Sequence, residues 1–255
     1  MGNTNQLVDI SHLTEKAKKI RREVLNTALN VKDGHIAPAY SCLDILVILY
    51  EKIIEPEDKF ILSKGHGCLG FYEILKDKGF KPTYSGHPDL DEKQGIFCTT
   101  GSLGHGLSIG VGMALARKLV RKRGWIYVLI GDGECQEGMV WESMNLAKKF
   151  KLDNLVVIVD NNNLQALDSI QNILDETNLR EKFNSFGGFT LEIDGHNFNE
   201  LSLALNPEKI AKDKPKIIIA KTIKGKGLSF MENNPSWHSR LPNEEQIKTA
   251  FEELS

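Results

Sequence analysis

Apolar residues recur at helical spacing over residues 12–30, 41–54, 68–79, 105–122, 138–151, 178–186 and 197–205, and a more polar helix is predicted near 243–254. Between these stretches lie short runs rich in Val and Ile, at 60–62, 125–130, 155–160, 190–193 and 217–220. The runs do not alternate with polar residues, as expected of strands covered on both faces in a parallel sheet. Strands alternating with helices predict an α/β fold, doubly wound, with a mostly parallel sheet flanked by helices. No repeat, low-complexity tract or long linker interrupts the chain, so residues 1–255 are read as one domain. In such folds ligands bind beyond the carboxyl ends of the strands, which directs attention to the residues that follow each run.

The run at 125–130 leads straight into Gly131-Asp132-Gly133-Glu134. The glycines permit a sharp turn and close approach to a ligand, while Asp132 offers a hard oxygen donor. After an intervening helix, the run at 155–160 ends in Asn161-Asn162-Asn163-Leu164. Strand, helix and strand form a βαβ unit whose parallel strands can set Asp132 beside Asn162. Mg²⁺ takes about six oxygens and is commonly shared between a carboxylate and phosphate groups. Asp132, the Asn162 amide oxygen, a backbone carbonyl and two diphosphate oxygens would nearly fill that shell. A GDG turn alone, or an Asn-rich turn alone, is common loop chemistry. Together on neighbouring strands they are far more informative.

Composition narrows the partners. The 255 residues carry 32 basic and 34 acidic side chains, so neither nucleic acid nor an anionic membrane surface is favoured. The amino terminus is polar, and no apolar run is long enough to span a bilayer. The four cysteines are far apart and form no CxxC pair, which suits reduced thiols. A soluble, cytoplasmic protein is expected. Two glycine-rich segments resist familiar nucleotide readings: Gly101-Ser102-Leu103-Gly104 lacks GxGxxG spacing, and the tract from Gly225 lacks the upstream glycine of a phosphate loop. Gly106, Gly110 and Gly112 suggest close packing of the helix that follows the first segment.

The motifs DGH, SKGHG, SGHPD, TGSLGHG, GDGECQEG, DNNNLQ, KTIKGKG and SWHS occur in that order between Gly34 and His238. This ordered set resembles the transketolase family, amino-terminal subunit of the split type. The resemblance implies the thiamine-diphosphate-binding fold, with thiamine diphosphate and Mg²⁺ (or Ca²⁺ or Mn²⁺) as cofactors. It implies metal ligation by Asp132, Asn162 and the Leu164 carbonyl. Gly133 and Asn162 would touch the diphosphate, His66 and His238 the cofactor, and Gly101, Ser102 and Leu103 the region beside its rings. His35, His87 and His238 would hold substrate oxygens and relay protons, because a neutral imidazole both donates and accepts hydrogen bonds. Glu137 would count among the catalytic and cofactor-binding residues, and with Glu142 it would lie at a subunit interface coupling active sites. His105 is left without a role, His196 is read as a turn residue and His12 as a surface residue.

In the full-length family a second domain binds the aminopyrimidine ring, and 255 residues leave no room for it. The resemblance therefore implies a carboxy-terminal partner subunit carrying the pyrimidine-binding domain, an α2β2 assembly, and two-carbon ketol transfer between sugars or sugar phosphates. Residues 36–40 and 165–173 depart from the family pattern and point to a specialised sugar pathway. Two alternatives stand beside this reading: the α subunit of a 2-oxo acid dehydrogenase, which shares the GDG…NN pattern, and a non-catalytic cofactor-binding regulatory subunit.

Overall fold

The apolar runs become strands, and their pairing brings distant loops together. Lys59–Leu62 (β1), Ile126–Gly131 (β2), Leu155–Asn161 (β3), Phe189–Asp194 (β4) and Lys216–Lys221 (β5) form one sheet in the order β1-β2-β3-β5-β4. Every pairing is parallel. The structure is a computed structural model describing residues 9–174, 178–206 and 211–255. The polar amino-terminal stretch read from the sequence lies outside the described residues.

Successive residues of each central strand feed two different cores, because side chains alternate across the pleat. Tyr127, Leu129, Val156, Ile158, Ile218 and Ala220 enter one apolar cluster. Val128, Ile130, Val157, Val159, Ile217 and Ile219 enter the other. The first face is covered chiefly by Ile10–Val31 (α1), Ile36–Ser41 (α2), Leu43–Ile48 (α3) and Cys68–Asp77 (α4). The second is covered by His105–Leu119 (α5) and Gly138–Lys149 (α6). Ile170–Leu174 (α7), Leu179–Ser185 (α8), Phe198–Leu205 (α9) and Glu244–Glu253 (α10) follow. This is the doubly wound α/β architecture that the sequence predicts.

Three expectations need correction. The helix predicted over 41–54 begins earlier and is broken at Cys42 into α2 and α3, followed by a π-helical turn at Leu49–Ile53. Pro38 sits in the first turn of α2, where its missing N–H would have had no intrahelical partner, so residues 36–40 are helical despite it. The run at 190–193 reads as a strand covered on both faces. As β4 it is an edge strand paired only with β5, with Thr190 buried and Glu192 exposed. Gly110 lies against Val128 and Gly106 against Ser63, so α5 does approach the sheet closely, but Gly112 faces open space.

Candidate functional site

The tips of β2 and β3 are neighbours, with Gly131 opposite Asp160 in the ladder. The chain then turns at Asp132 on one strand and at Asn161–Leu164 on the other. Asn163 adopts a left-handed backbone (φ 62°), a conformation Asn tolerates better than most residues. That turn aims the Asn163 N–H at Asp132 Oδ2, 2.5 Å away, while Gly133 N–H donates to Oδ1 at 2.8 Å. Asn162 Oδ1 accepts from Leu164 N–H at 3.0 Å, and its Nδ2 donates to Ser41 Oγ at 3.0 Å. The amide is therefore oriented with its oxygen toward the loop. Asp132, Gly133, Asn162 and Leu164 line one cleft together with His66, Leu103, Lys224 and His238. A Cβ at Gly133 would come within 2.9 Å of the Gln165 side chain, so any larger residue there would have to displace Gln165 from the cleft wall.

The donor set suits a hard divalent cation. Asp132 is 4% exposed, and no ion pair engages it among the described residues. Burial, with the charge of Asp160 added, pushes its carboxyl up to about 7. A buried carboxylate without a cation is costly, and each of its oxygens retains unused acceptor capacity. Among the described residues no three His, Cys, Asp or Glu side chains cluster as a classical metal site. One carboxylate, one amide and one carbonyl fit a cation that draws its remaining oxygens from phosphate, as Mg²⁺ does.

Three histidines far apart in sequence cluster here: His66 and His238 line the cleft, and His35 packs against both. Ring centroids of His66 and His238 are 5.1 Å apart, those of His35 and His238 5.8 Å, and those of His35 and His66 6.2 Å. His35 Nδ1 lies 2.7 Å from Asp33 Oδ1. Burial first, then the Lys64 charge, drives the His66 imidazole well below its usual value. Burial, then Lys224, lowers His238 to about 4. Both rings are thus neutral in the fold. In the unfolded chain they titrate near 6.5, so below that pH the unfolded state binds more protons and gains on the native one. The two rings thus contribute stability that is lost as pH drops from about 6.5 toward about 4, opposite in sign to the raised Asp132 carboxyl, so across that window the parent should lose stability relative to His238→Ala. Urea midpoints across that window would show it; identical slopes would contradict it.

Other predicted residues are arranged less tightly. His87 is exposed and packs over Gly65 and Gly101 rather than among the cleft-lining residues. Leu103 lines the cleft, whereas Gly101 and Ser102 lie outside its lining, Ser102 exposed. Glu137 caps the start of α6, and both it and Glu142 are exposed. Cys135 is fully buried, as a packing residue should be.

Four residues of the site escape sequence reasoning. Glu134 is buried and accepts from Ser63 Oγ, from Gly104 N–H at 2.8 Å and from Gly131 N–H at 3.1 Å. It ties the TGSLG loop to the GDG turn. Asp160 and Lys64 form a fully buried ion pair under the cleft, with Thr222 Oγ1 and Ser41 Oγ also donating to the carboxylate. Lys224 enters the cleft, its ammonium 2.8 Å from the Gln165 carbonyl and 2.9 Å from His238 Nδ1. Burial, then the Lys64 charge, lowers it to about 8. A lysine following an apolar strand is the available signal; its direction cannot be read from sequence.

Comparison with known proteins follows the same lines. Residues 14–254 match the family described as transketolase, thiamine diphosphate binding domain. The chain is 35% identical to an apulose-4-phosphate transketolase subunit of Phocaeicola vulgatus, over 97% of this chain and 95% of that one. It is 36% identical to a 6-deoxy-6-sulfo-D-fructose transketolase subunit of a Clostridium species, over 98% of each. Its fold superposes on the transketolase of Campylobacter jejuni with a TM-score of 0.86 at 30% identity, covering 97% of this chain but 43% of that larger one. Among the described residues no helix is long and apolar enough to cross a membrane.

Proposed function

The chain belongs to the transketolase family as its thiamine-diphosphate-binding domain, and from that premise we propose that it is the amino-terminal half of a two-chain transketolase. In this reading it transfers a two-carbon ketol unit from a ketose or ketose phosphate to an aldose, using thiamine diphosphate and Mg²⁺. The observation that carries the reading is the meeting of Asp132 with the Asn162–Leu164 turn at adjacent strand tips, in one cleft with Lys224 and neutral imidazoles. Family membership decides against the 2-oxo acid dehydrogenase alternative.

Asp132, Asn162 and the Leu164 carbonyl would hold the metal, and Gly133 and Lys224 would meet the diphosphate. Thiamine diphosphate supplies, when bound, the electron sink that lets a carbon–carbon bond next to a ketose carbonyl break. The protein's own contribution is positional and protolytic. His66 and His238, kept neutral, can accept a proton or donate one without first shedding charge. His35, held by Asp33, and the exposed His87 would bind substrate hydroxyl and carbonyl oxygens. Exposed Glu137 and Glu142 are free to meet another subunit.

Relatives that match this chain end to end are named as subunits, which supports a separate carboxy-terminal chain carrying the pyrimidine-binding domain. An α2β2 assembly in the cytoplasm is the corresponding arrangement. Residues 36–40 and 165–173 border the cleft through Pro38 and Gln165, consistent with a specialised sugar substrate. The test is to assay ketol transfer from a panel of ketose phosphates, with thiamine diphosphate and Mg²⁺, using the chain alone and mixed with a candidate carboxy-terminal subunit carrying the pyrimidine-binding domain. Turnover only in the mixture is expected. Robust turnover by the chain alone would refute the half-enzyme. Unchanged turnover when His35 or His238 is replaced by Ala would instead favour a regulatory role.

A further inference from the structure

Lys224 enters the cleft from a loop whose own backbone is tied by Asn233 N–H to the Lys224 carbonyl at 3.0 Å and by Gly225 N–H to the Ala37 carbonyl at 3.1 Å. Gly225 and Gly227 both take positive φ, at 80° and 97°, and glycine adds conformational freedom that something else must remove. A further, side-chain restraint comes from beneath, through residues absent from the cleft lining. Gly195 N–H donates to the Lys221 carbonyl at 2.8 Å, which brings the turn after β4 against the exit of β5. His196 then accepts the Ile223 N–H on Nε2 at 2.9 Å and places Nδ1 2.6 Å from Asp44 Oδ2. A ring nitrogen that accepts from a backbone N–H carries no proton, so Nδ1 bears the hydrogen and donates it to Asp44. On its other side Asp44 receives Arg21 through Nη1 and Nη2, each at 2.9 Å. Arg21 Nε donates to the Lys226 carbonyl, also at 2.9 Å. One buried network thus grips the backbone on both sides of Lys224.

The network is a stable fixture. Burial would raise the Asp44 carboxyl, but Arg21 and then His196 override it and hold the group at about 2. Asp44 is therefore an anion throughout the neutral range. Buried ionic groups of this kind are often no more stabilising than an apolar trio of equal volume, and their best-attested use is to fix one register.

We propose that Arg21, Asp44 and His196 are positioning residues for cofactor binding: they set where Lys224 enters the cleft and so hold its ammonium beside His238. The inference rests on reading the cleft as the diphosphate site, and the test separates the two. Binding of thiamine diphosphate with Mg²⁺ is measured calorimetrically for the assembled chain and partner carrying Lys224→Ala, His196→Phe, or both. An ångström's misplacement can cost roughly 100-fold in rate where geometry matters; one ammonium shifted from the diphosphate is expected to cost about tenfold in affinity, the loss of one charge-assisted contact. His196→Phe should therefore weaken binding by about tenfold in the parent but less than twofold when Lys224 is already Ala, since the coupling runs through that lysine. His196→Gln should restore most of the loss, because its amide can accept from Ile223 and donate to Asp44. Equal weakening in both backgrounds, or none in the parent, would overturn the proposal. If His196→Phe does not fold, Asp44→Asn is measured in the same two backgrounds with the same expectation. Unchanged affinity in Lys224→Ala alone would instead overturn the cleft assignment beneath it.

Discussion

Replacing Asp132 by Asn is expected to raise the dissociation constant for thiamine diphosphate, measured with Mg²⁺ present, by about 100-fold or more while leaving the fold intact. The size follows from the donor set. Asp132 is the anionic ligand of the proposed shell, and the loss even of an outer partner of a metal ligand commonly costs roughly 10–100-fold in affinity. The intact fold follows from its surroundings. The carboxylate is 4% exposed, has the Gly133 and Asn163 N–H groups as its hydrogen-bond partners among the described residues, and is pushed up to about 7 by burial and by Asp160. An amide of the same size removes a buried charge but turns an NH2 donor toward one of those two N–H groups, so a loss of about 1–3 kcal/mol without unfolding is expected. Failure of the variant to fold, or binding that weakens no more than the small stability loss explains, would mean that Asp132 is a structural residue.

Asp160 behaves in the opposite way. It lies near Asp132 and is fully buried, yet it has a cation: Lys64, itself 2% exposed. Burial works to raise the Asp160 carboxyl, but Lys64 wins and holds it below the usual carboxylate range. Asp160→Ala leaves the Lys64 ammonium buried without its counter-charge and deprives Ser41 and Thr222 of their acceptor. Breaking such a pair from one side costs about 3–5 kcal/mol. Urea unfolding of Asp160→Ala should show a loss of that order, and adding Lys64→Met should recover much of it. A loss under about 1 kcal/mol, the level of an exposed ion pair, would show that the pair is not the keystone proposed here. The two carboxylates separate roles within one loop system: Asp160 builds the floor and Asp132 faces the ligand.

These roles are legible in the sequence to different degrees, for a physical reason. The sheet is readable because each central strand is a short uninterrupted run of Val and Ile, and the clamp because GDG and NNN follow two such runs directly. Where a property depends on position in the sheet, composition alone is silent: β4 resembles the central strands until its place at the edge exposes Glu192. Helix breaks are likewise hidden, since Cys42 interrupts an apolar stretch without Gly or Pro. Roles that depend on distant partners leave no local trace. Glu134 acts through Ser63 and Gly104, 71 and 30 residues away, and Lys64 through Asp160, 96 away. His196 reads as a turn residue, and it does occupy a turn, but its ring reaches Asp44 across 152 positions. A hint exists for Asp160, a charged residue closing an otherwise apolar strand, where burial demands a partner.

The imidazoles show the reverse case. Gly-His pairs carry little weight singly, yet His35, His66 and His238 converge in one cluster, with ring centroids 5.1–6.2 Å apart. Their loops follow different elements, so only the fold could assemble them.

The most direct measurement is a crystal of the chain with its partner, grown with thiamine diphosphate and Mn²⁺ in place of Mg²⁺, with the metal located by anomalous scattering. The account predicts one strong peak bonded to Asp132, to the Asn162 side-chain oxygen and to the Leu164 carbonyl at about 2.1–2.3 Å, near the octahedral range for such ions. A fully occupied cofactor with no peak at those three oxygens, or with the metal held elsewhere, would contradict it.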